Sequence, residues 1–128
     1  MKVAFDIDDT LWKIRIRKVD GHVVGDQVPD FDLIQVLRWF ATNGDDVYVW
    51  SAGGTQYAQQ IVDKLGLSEF VTVIRKGAVA ARHHRIDLAF DDEPVTLGMA
   101  NCRIRRPDYE KLAAELKEDV PSTTTPSA

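Results

Sequence analysis

Short apolar runs alternate along the chain with stretches whose apolar positions return at helical spacing, the pattern of a parallel sheet flanked by helices. The runs predict strands over residues 2–7, 47–51, 70–74, 87–90 and 102–105. Leu33, Val36, Leu37 and Phe40 share one face of a helix predicted over 30–43, which Asn43-Gly44 stops. Ala58, Ile61, Val62 and Leu65 repeat the spacing over 55–65, closed by Gly66. A short third helix is predicted over 77–84, and a last one opens at Pro107 with Tyr109, Leu112, Ala113 and Leu116 on one face. Past Val120 the tail PSTTTPSA has nothing apolar to bury and is expected to be disordered.

One stretch breaks the alternation. In WKIRIRKVDGHVVGDQV, residues 12–28, Lys13, Arg15 and Arg17 alternate with Ile14 and Ile16, and Asp20-Gly21 marks a tight turn before Val23-Val24. This predicts a β-hairpin flap after the first strand, projecting over the strand end that follows Phe5. No other gap between elements has room for a cap domain. The expected architecture is therefore α/β: a Rossmann-like, doubly wound, mainly parallel five-stranded sheet, forming one domain over 1–120.

A length of 128 residues fits one domain, and a chain 45% hydrophobic and 28% charged is ordinary for a soluble globular protein. No run is long enough to span a bilayer, and the start MKVAFDID fits neither a secretory nor a transit peptide, so a cytoplasmic location is expected. The net charge of -4 argues against general nucleic-acid binding, although basic residues gather at 13–18, 75–76, 82–85 and 103–106 and give local surfaces that attract anions. Cys102 is the only cysteine, which excludes an internal disulfide; in its strand it reads as a small hydrophobe. Trp12, Trp39 and Trp50 are core candidates. His83-His84 reads as a solvated helix end, because adjacent helical residues diverge by about 100° and do not chelate one ion.

The charge pattern changes this picture at FDIDDTLW, residues 5–12, where Asp6, Asp8 and Asp9 crowd the end of a buried strand. Clustered carboxylates repel each other and are costly to bury unpaired, so the cluster calls for a cation or a chemical duty. Ligands of parallel α/β sheets bind beyond the carboxyl ends of the strands. The other strand ends offer Ser51 before Ala52 and Gly53, then Arg75 and Lys76 before Gly77, then Asp91-Asp92-Glu93-Pro94. A hydroxyl, a glycine-rich turn, an ammonium and two carboxylate groups meet the needs of phosphoryl transfer, which requires a nucleophile opposite the leaving oxygen and positive charge around the equatorial ones. Mg2+ bound between Asp6, Asp8 and Asp92 would reverse the sign of the site.

Asp6-Ile7-Asp8-Asp9-Thr10-Leu11, Ser51 after VYVW, Lys76, and Asp91-Asp92 after LAF together resemble, in order, the four motifs of the haloacid dehalogenase superfamily, over residues 1–106. FDIDDTLW and FDDE look most like the small capless magnesium-dependent phosphatases of that superfamily. The resemblance implies a Mg2+-dependent phosphomonoester hydrolase. Asp6 would form an aspartyl-phosphate, and Asp8 would protonate the leaving group and then deprotonate the attacking water. Ser51 and Lys76 would hold phosphoryl oxygens, helped by Thr10 and the backbone around Ala52 and Gly53. Mg2+ would sit on Asp6, the Asp8 carbonyl and Asp92, with Asp91 in an orienting role. The chain departs from the pattern at Gly77, where many members have proline, at Arg75, a neighbour able to compete with Lys76, and at Glu93-Pro94, which lacks a further spaced carboxylate.

The implied partner is a phosphorylated substrate: a phosphoprotein, a phosphosugar or a nucleic-acid end, with nucleic acid entering only as substrate. Without a cap the site would be open, or closed by an oligomeric neighbour. Asp9 reads as a turn residue. Two other classes compete. A receiver-like signalling module uses the same residue types, but opens with its acidic pair, whereas here the pair comes last. A non-catalytic metal- or phosphate-binding scaffold would keep the residues without turnover.

Overall fold

A computed structural model describes residues 1–118. Along the chain run β1 (Lys2–Phe5), β2 (Trp12–Val19), β3 (His22–Pro29), α1 (Phe31–Thr42), β4 (Asp46–Val49), α2 (Thr55–Lys64), β5 (Thr72–Val73), α3 (Ala78–His84), β6 (Leu88–Asp91), β7 (Ala100–Arg103) and α4 (Tyr109–Lys117). The tail expected to be disordered lies outside the described residues. The chain divides into two compact units, one comprising Met1–Lys13 and Pro29–Arg105, the other Ile14–Val28 and the described chain from Arg106.

The first unit is built on a parallel five-stranded sheet in the order β5-β4-β1-β6-β7. β1 is central because Val3, Ala4 and Phe5 are apolar towards both faces, and all three are fully buried. Val3 and Phe5 enter the core under α1 and α2, with Leu33, Ile34, Leu37, Phe40, Ala58, Ile61 and Val62. Ala4 faces the opposite way, into a smaller cluster with Trp50, Ile74, Ala81 of α3, Ile86 and Ala89. Phe5 stacks on Phe90 with ring centroids 4.6 Å apart, binding β1 to β6 just below the strand ends that carry Asp6 and Asp91.

Several expectations are corrected. In α1, whose first turn is capped by the Asp30 carboxylate accepting from Leu33 N at 3.0 Å, Ile34 and not Val36 completes the buried stripe. Trp39 is 61% exposed on the same helix, so only Trp12 and Trp50 are core tryptophans. β5 is two residues long, because Phe70 is used in a turn in which its N–H donates to Leu67 O. β7 begins at Ala100 and is an edge strand exposed throughout, which leaves Cys102 exposed and not a core hydrophobe.

The second unit contains the hairpin strands beyond Lys13 and α4. Asp20 and Gly21, at φ 50° and 79°, make the two-residue turn that joins β2 to β3 as an antiparallel pair. Ile14 and Ile16 are half-buried while Arg15 and Arg17 are exposed, the alternation expected from the sequence. Asp26 on β3 answers both arginines, at 2.7 Å from Arg17 Nε and 3.7 Å from Arg15. α4 is capped by Asp108, and its stripe of Tyr109, Leu112, Ala113 and Leu116 is half-buried. No helix among the described residues is long and apolar enough to cross a membrane.

Candidate active site

β1 delivers Asp6 to the sheet's carboxyl edge. Asp6 N donates to Phe90 O at 3.0 Å while Phe5 O accepts from Trp50 N at 3.1 Å, so the residue is fixed between the ends of β6 and β4. The chain then leaves the strand direction in one wide turn over Ile7–Leu11, broken at Asp8 and Asp9. Asp9 takes a left-handed conformation (φ 57°, ψ 16°), one that aspartate tolerates. Buried Ile7 and Leu11 hold the turn to the core, and Leu11 O accepts from Asp30 N at 2.8 Å. The buried Thr10 hydroxyl donates a long, weak bond of 3.4 Å to Asp6 Oδ2.

Lys76 arrives from the segment after β5, which Ile74 N ties to Val49 O at 3.0 Å. Its ammonium stands 3.0 Å from Asp6 Oδ1 and 2.7 Å from Asp91 Oδ2, with only 14% of the side chain exposed. The contact with Asp91 is an ion pair without hydrogen-bond geometry, and Asp91 Oδ2 has no hydrogen-bond partner among the described residues. Asp91 Oδ1 accepts from Glu93 N at 2.9 Å, which fixes the carboxylate. Gly77 stands at φ 150°, a conformation open to glycine and closed to a proline.

Asp92 completes the group: carboxylate oxygens of Asp6, Asp91 and Asp92 all lie within 4.8 Å of one another. Three carboxylates face one ammonium. Burial, the hydrogen bond shared with Asp6 and repulsion from Asp6 push the Asp92 carboxyl up to about 7. Burial also raises Asp6, against the hydrogen bond from Lys76 that pulls it down. Burial alone would lower the Lys76 ammonium, but its pairing with the Asp91 and Asp6 carboxylates outweighs that and raises it. This surplus of negative charge on hard oxygen donors fits a divalent cation.

Asp8 goes elsewhere. Its carboxylate is exposed, stands outside the three-carboxylate group, and accepts from the Tyr57 hydroxyl at 2.6 Å. The Asp8 side chain therefore does not join the carboxylates of Asp6, Asp91 and Asp92. Burial first, and then the bond to Asp8, push the Tyr57 hydroxyl up to about 12. Tyr57 escaped the sequence reading, in which helical spacing singled out its neighbour Ala58. The available signal was an aromatic hydroxyl in the first turn of the helix that follows Ser51.

Ser51 is buried just beyond β4, on the strand neighbouring β1. Its Oγ accepts from Gly53 N at 3.0 Å, and its carbonyl from Gly54 N at 3.1 Å, so the loop closes on the serine. An oxygen that accepts this bond keeps its own proton to donate. Ala52 and Gly53 are exposed at the loop tip. The fold thus brings Asp6, Thr10, Lys76, Asp91 and Asp92 into direct contact or proximity, sets Ser51 on the adjoining strand end, and turns the Asp8 side chain towards α2. Beside Lys76, a groove of about 500 Å³ runs past Arg75, Val79, Ala80, His83 and His84, with no acidic residue in its lining. His84 rests on Tyr48, ring centroids 5.1 Å apart, instead of standing free in solvent.

Comparison of the chain with family models, with curated proteins and with solved structures returned no match.

Proposed function

We propose that the chain is a cation-dependent phosphomonoester hydrolase of the haloacid dehalogenase type, with a Rossmann-like, doubly wound core, acting through an aspartyl-phosphate on Asp6. The observation that carries this reading is the Lys76 ammonium lying between Asp6 and Asp91, which joins the ends of three strand segments at one buried, acid-rich point. A receiver-like module is disfavoured by the order of these groups along the chain.

A divalent ion, Mg2+ in this reading, would be held by Asp6, Asp92 and the Asp8 carbonyl, with Asp91 beside it. When bound, the ion offsets the carboxylates and supplies positive charge to a phosphoryl oxygen. Asp6 attacks phosphorus as the bond to the leaving oxygen breaks, and Asp8 gives that oxygen a proton. Water then attacks the aspartyl-phosphate, Asp8 takes the water proton, and Asp6 is released with inorganic phosphate. Lys76 and the Ser51 hydroxyl hold charge that develops on the phosphoryl oxygens. Arg75, in the groove beside Lys76, offers a positive charge to an anionic substrate, either a small molecule or a macromolecule.

The test is hydrolysis of an aryl phosphate in Mg2+. We expect turnover that chelation abolishes and Asp6→Asn removes. Turnover unchanged in Asp6→Asn would exclude Asp6 as nucleophile, and absence of hydrolysis on phosphorylated metabolites, phosphopeptides and oligonucleotide ends would favour the scaffold reading.

A further inference from the structure

Among the described residues the Asp8 carboxylate has one hydrogen-bond partner, the Tyr57 hydroxyl, and the bond is short at 2.6 Å. Asp8 sits on an exposed turn at φ -64° and ψ 130°, at the break in the segment over Ile7–Leu11. Tyr57 comes from a different element, the first turn of α2, and its half-buried ring packs on the main core. A side chain on an exposed turn is thus anchored by a ring on a buried helix.

The anchor is joined to the phosphate loop as well. A Cβ placed on Gly53 would lie 3.0 Å from Tyr57 Cδ2 and 3.3 Å from Ser51 Oγ, so a glycine at this position lets the ring approach the loop that carries the serine. The tyrosine hydroxyl occupies Oδ1 of Asp8 and leaves Oδ2 open to a substrate.

We propose that Tyr57 is a positioning residue for proton transfer: it holds Asp8 by one oxygen so that the other addresses the leaving group of a bound phosphomonoester. This rests on the hydrolase reading above. General acid catalysis matters most when the leaving group is a poor one, which gives the proposal a signature that a purely structural tyrosine lacks. A buried-helix tyrosine that merely stabilised the fold would affect all substrates alike.

The experiment compares the wild type, Tyr57→Phe, Asp8→Asn and the double variant on two Mg2+-supported substrates, an activated aryl phosphate and an unactivated alkyl phosphate. Phenylalanine keeps the ring packing, and melting temperatures check each fold. Tyr57→Phe is expected to lower kcat/KM, which reports the leaving-group step, roughly tenfold or more on the alkyl phosphate, with much less loss on the aryl phosphate. In the Asp8→Asn background the same substitution is expected to cost nothing further. Equal losses on both substrates, or a full loss persisting in the Asp8→Asn background, would overturn the inference while wild-type turnover that Asp6→Asn abolishes left the hydrolase reading standing. Absence of wild-type turnover would overturn both.

Discussion

Lys76 Nζ stands 3.0 Å from Asp6 Oδ1, although the two residues are 70 positions apart in the chain. The contact exists because Asp6 lies at the end of the central strand and Lys76 two residues beyond Ile74, which is held to β4. It is also the contact that makes the acid cluster tolerable, since the same ammonium reaches Asp91 at 2.7 Å.

Removing that ammonium is expected to harm both stability and chemistry. In Lys76→Met, Asp6 and Asp91 lose their one buried ion-pair partner, and breaking such a pair typically costs about 3–5 kcal/mol. The loss is expected to be larger at pH 8 than at pH 5, because protonation can relieve the stranded carboxylates. On the proposed hydrolase reading, phosphatase activity is expected to fall by about 100-fold or more, as when a charge-stabilising donor is removed from an active site. Urea unfolding at the two pH values and initial rates check the two parts; a variant as stable as the wild type at pH 8 would mean that the ion pair contributes little.

Much of this arrangement was legible in the sequence, and the failures have definite physical sources. β1, β4 and β6 read correctly because strands buried on both faces are nearly continuous apolar runs, and polar groups after such runs stand at one edge of the sheet. Val36 was misread because it and Ile34 flank the same stripe at helical spacing, and only packing against the sheet decides between them. Cys102 was misread because an edge strand need not bury its apolar residues. Tyr57 was invisible because its role arises from a contact 49 positions away in the chain.

The exposure of Cys102 has a direct chemical reading. It is the chain's only cysteine and has no disulfide partner. An aromatic disulfide reagent is expected to titrate one thiol per chain in the native protein, with little acceleration on adding denaturant. A thiol that reacts only after unfolding would place the side chain in the interior.

Gly98 lies in the turn before β7, where its amide and carbonyl are paired with the Asn101 side chain at 2.9 Å each. A Cβ there would lie 2.8 Å from Ala100 O and 3.0 Å from Ala89 N, and both are backbone atoms of strands that cannot yield separately. Gly98→Ala is expected to destabilise by about 1–3 kcal/mol, the usual cost of overpacking. Gly25→Ala is the contrast, since its nearest neighbours are the Ile16 and Ile14 side chains at 3.2 and 3.4 Å, which can shift. Urea midpoints for the two variants check the difference; equal midpoints would show that the β6–β7 backbone moves aside freely.

A raised carboxyl at Asp92 makes stability depend on pH in the metal-free protein. Its carboxyl is pushed up to about 7 from an ordinary 3.8, by burial first and then by Asp6. The folded chain therefore holds this proton more tightly than the unfolded chain does. The resulting stability is fully present below pH 3.8 and is lost as pH rises through about 7. Asp26 and Asp63 shift the other way, lowered by Arg17 and by Ser68 respectively, so their contributions are already complete by pH 5 and stay constant above it. Between pH 5 and pH 7.5, in chelator, wild-type stability is thus expected to fall relative to Asp92→Asn, whose neutral amide cannot lose the proton. A divalent cation should restore the wild type more at pH 7.5 than at pH 5, since metal and proton compete for the same oxygens. Denaturant unfolding of both proteins across this range is the measurement, and parallel curves would mean that Asp92 titrates as an ordinary surface carboxylate.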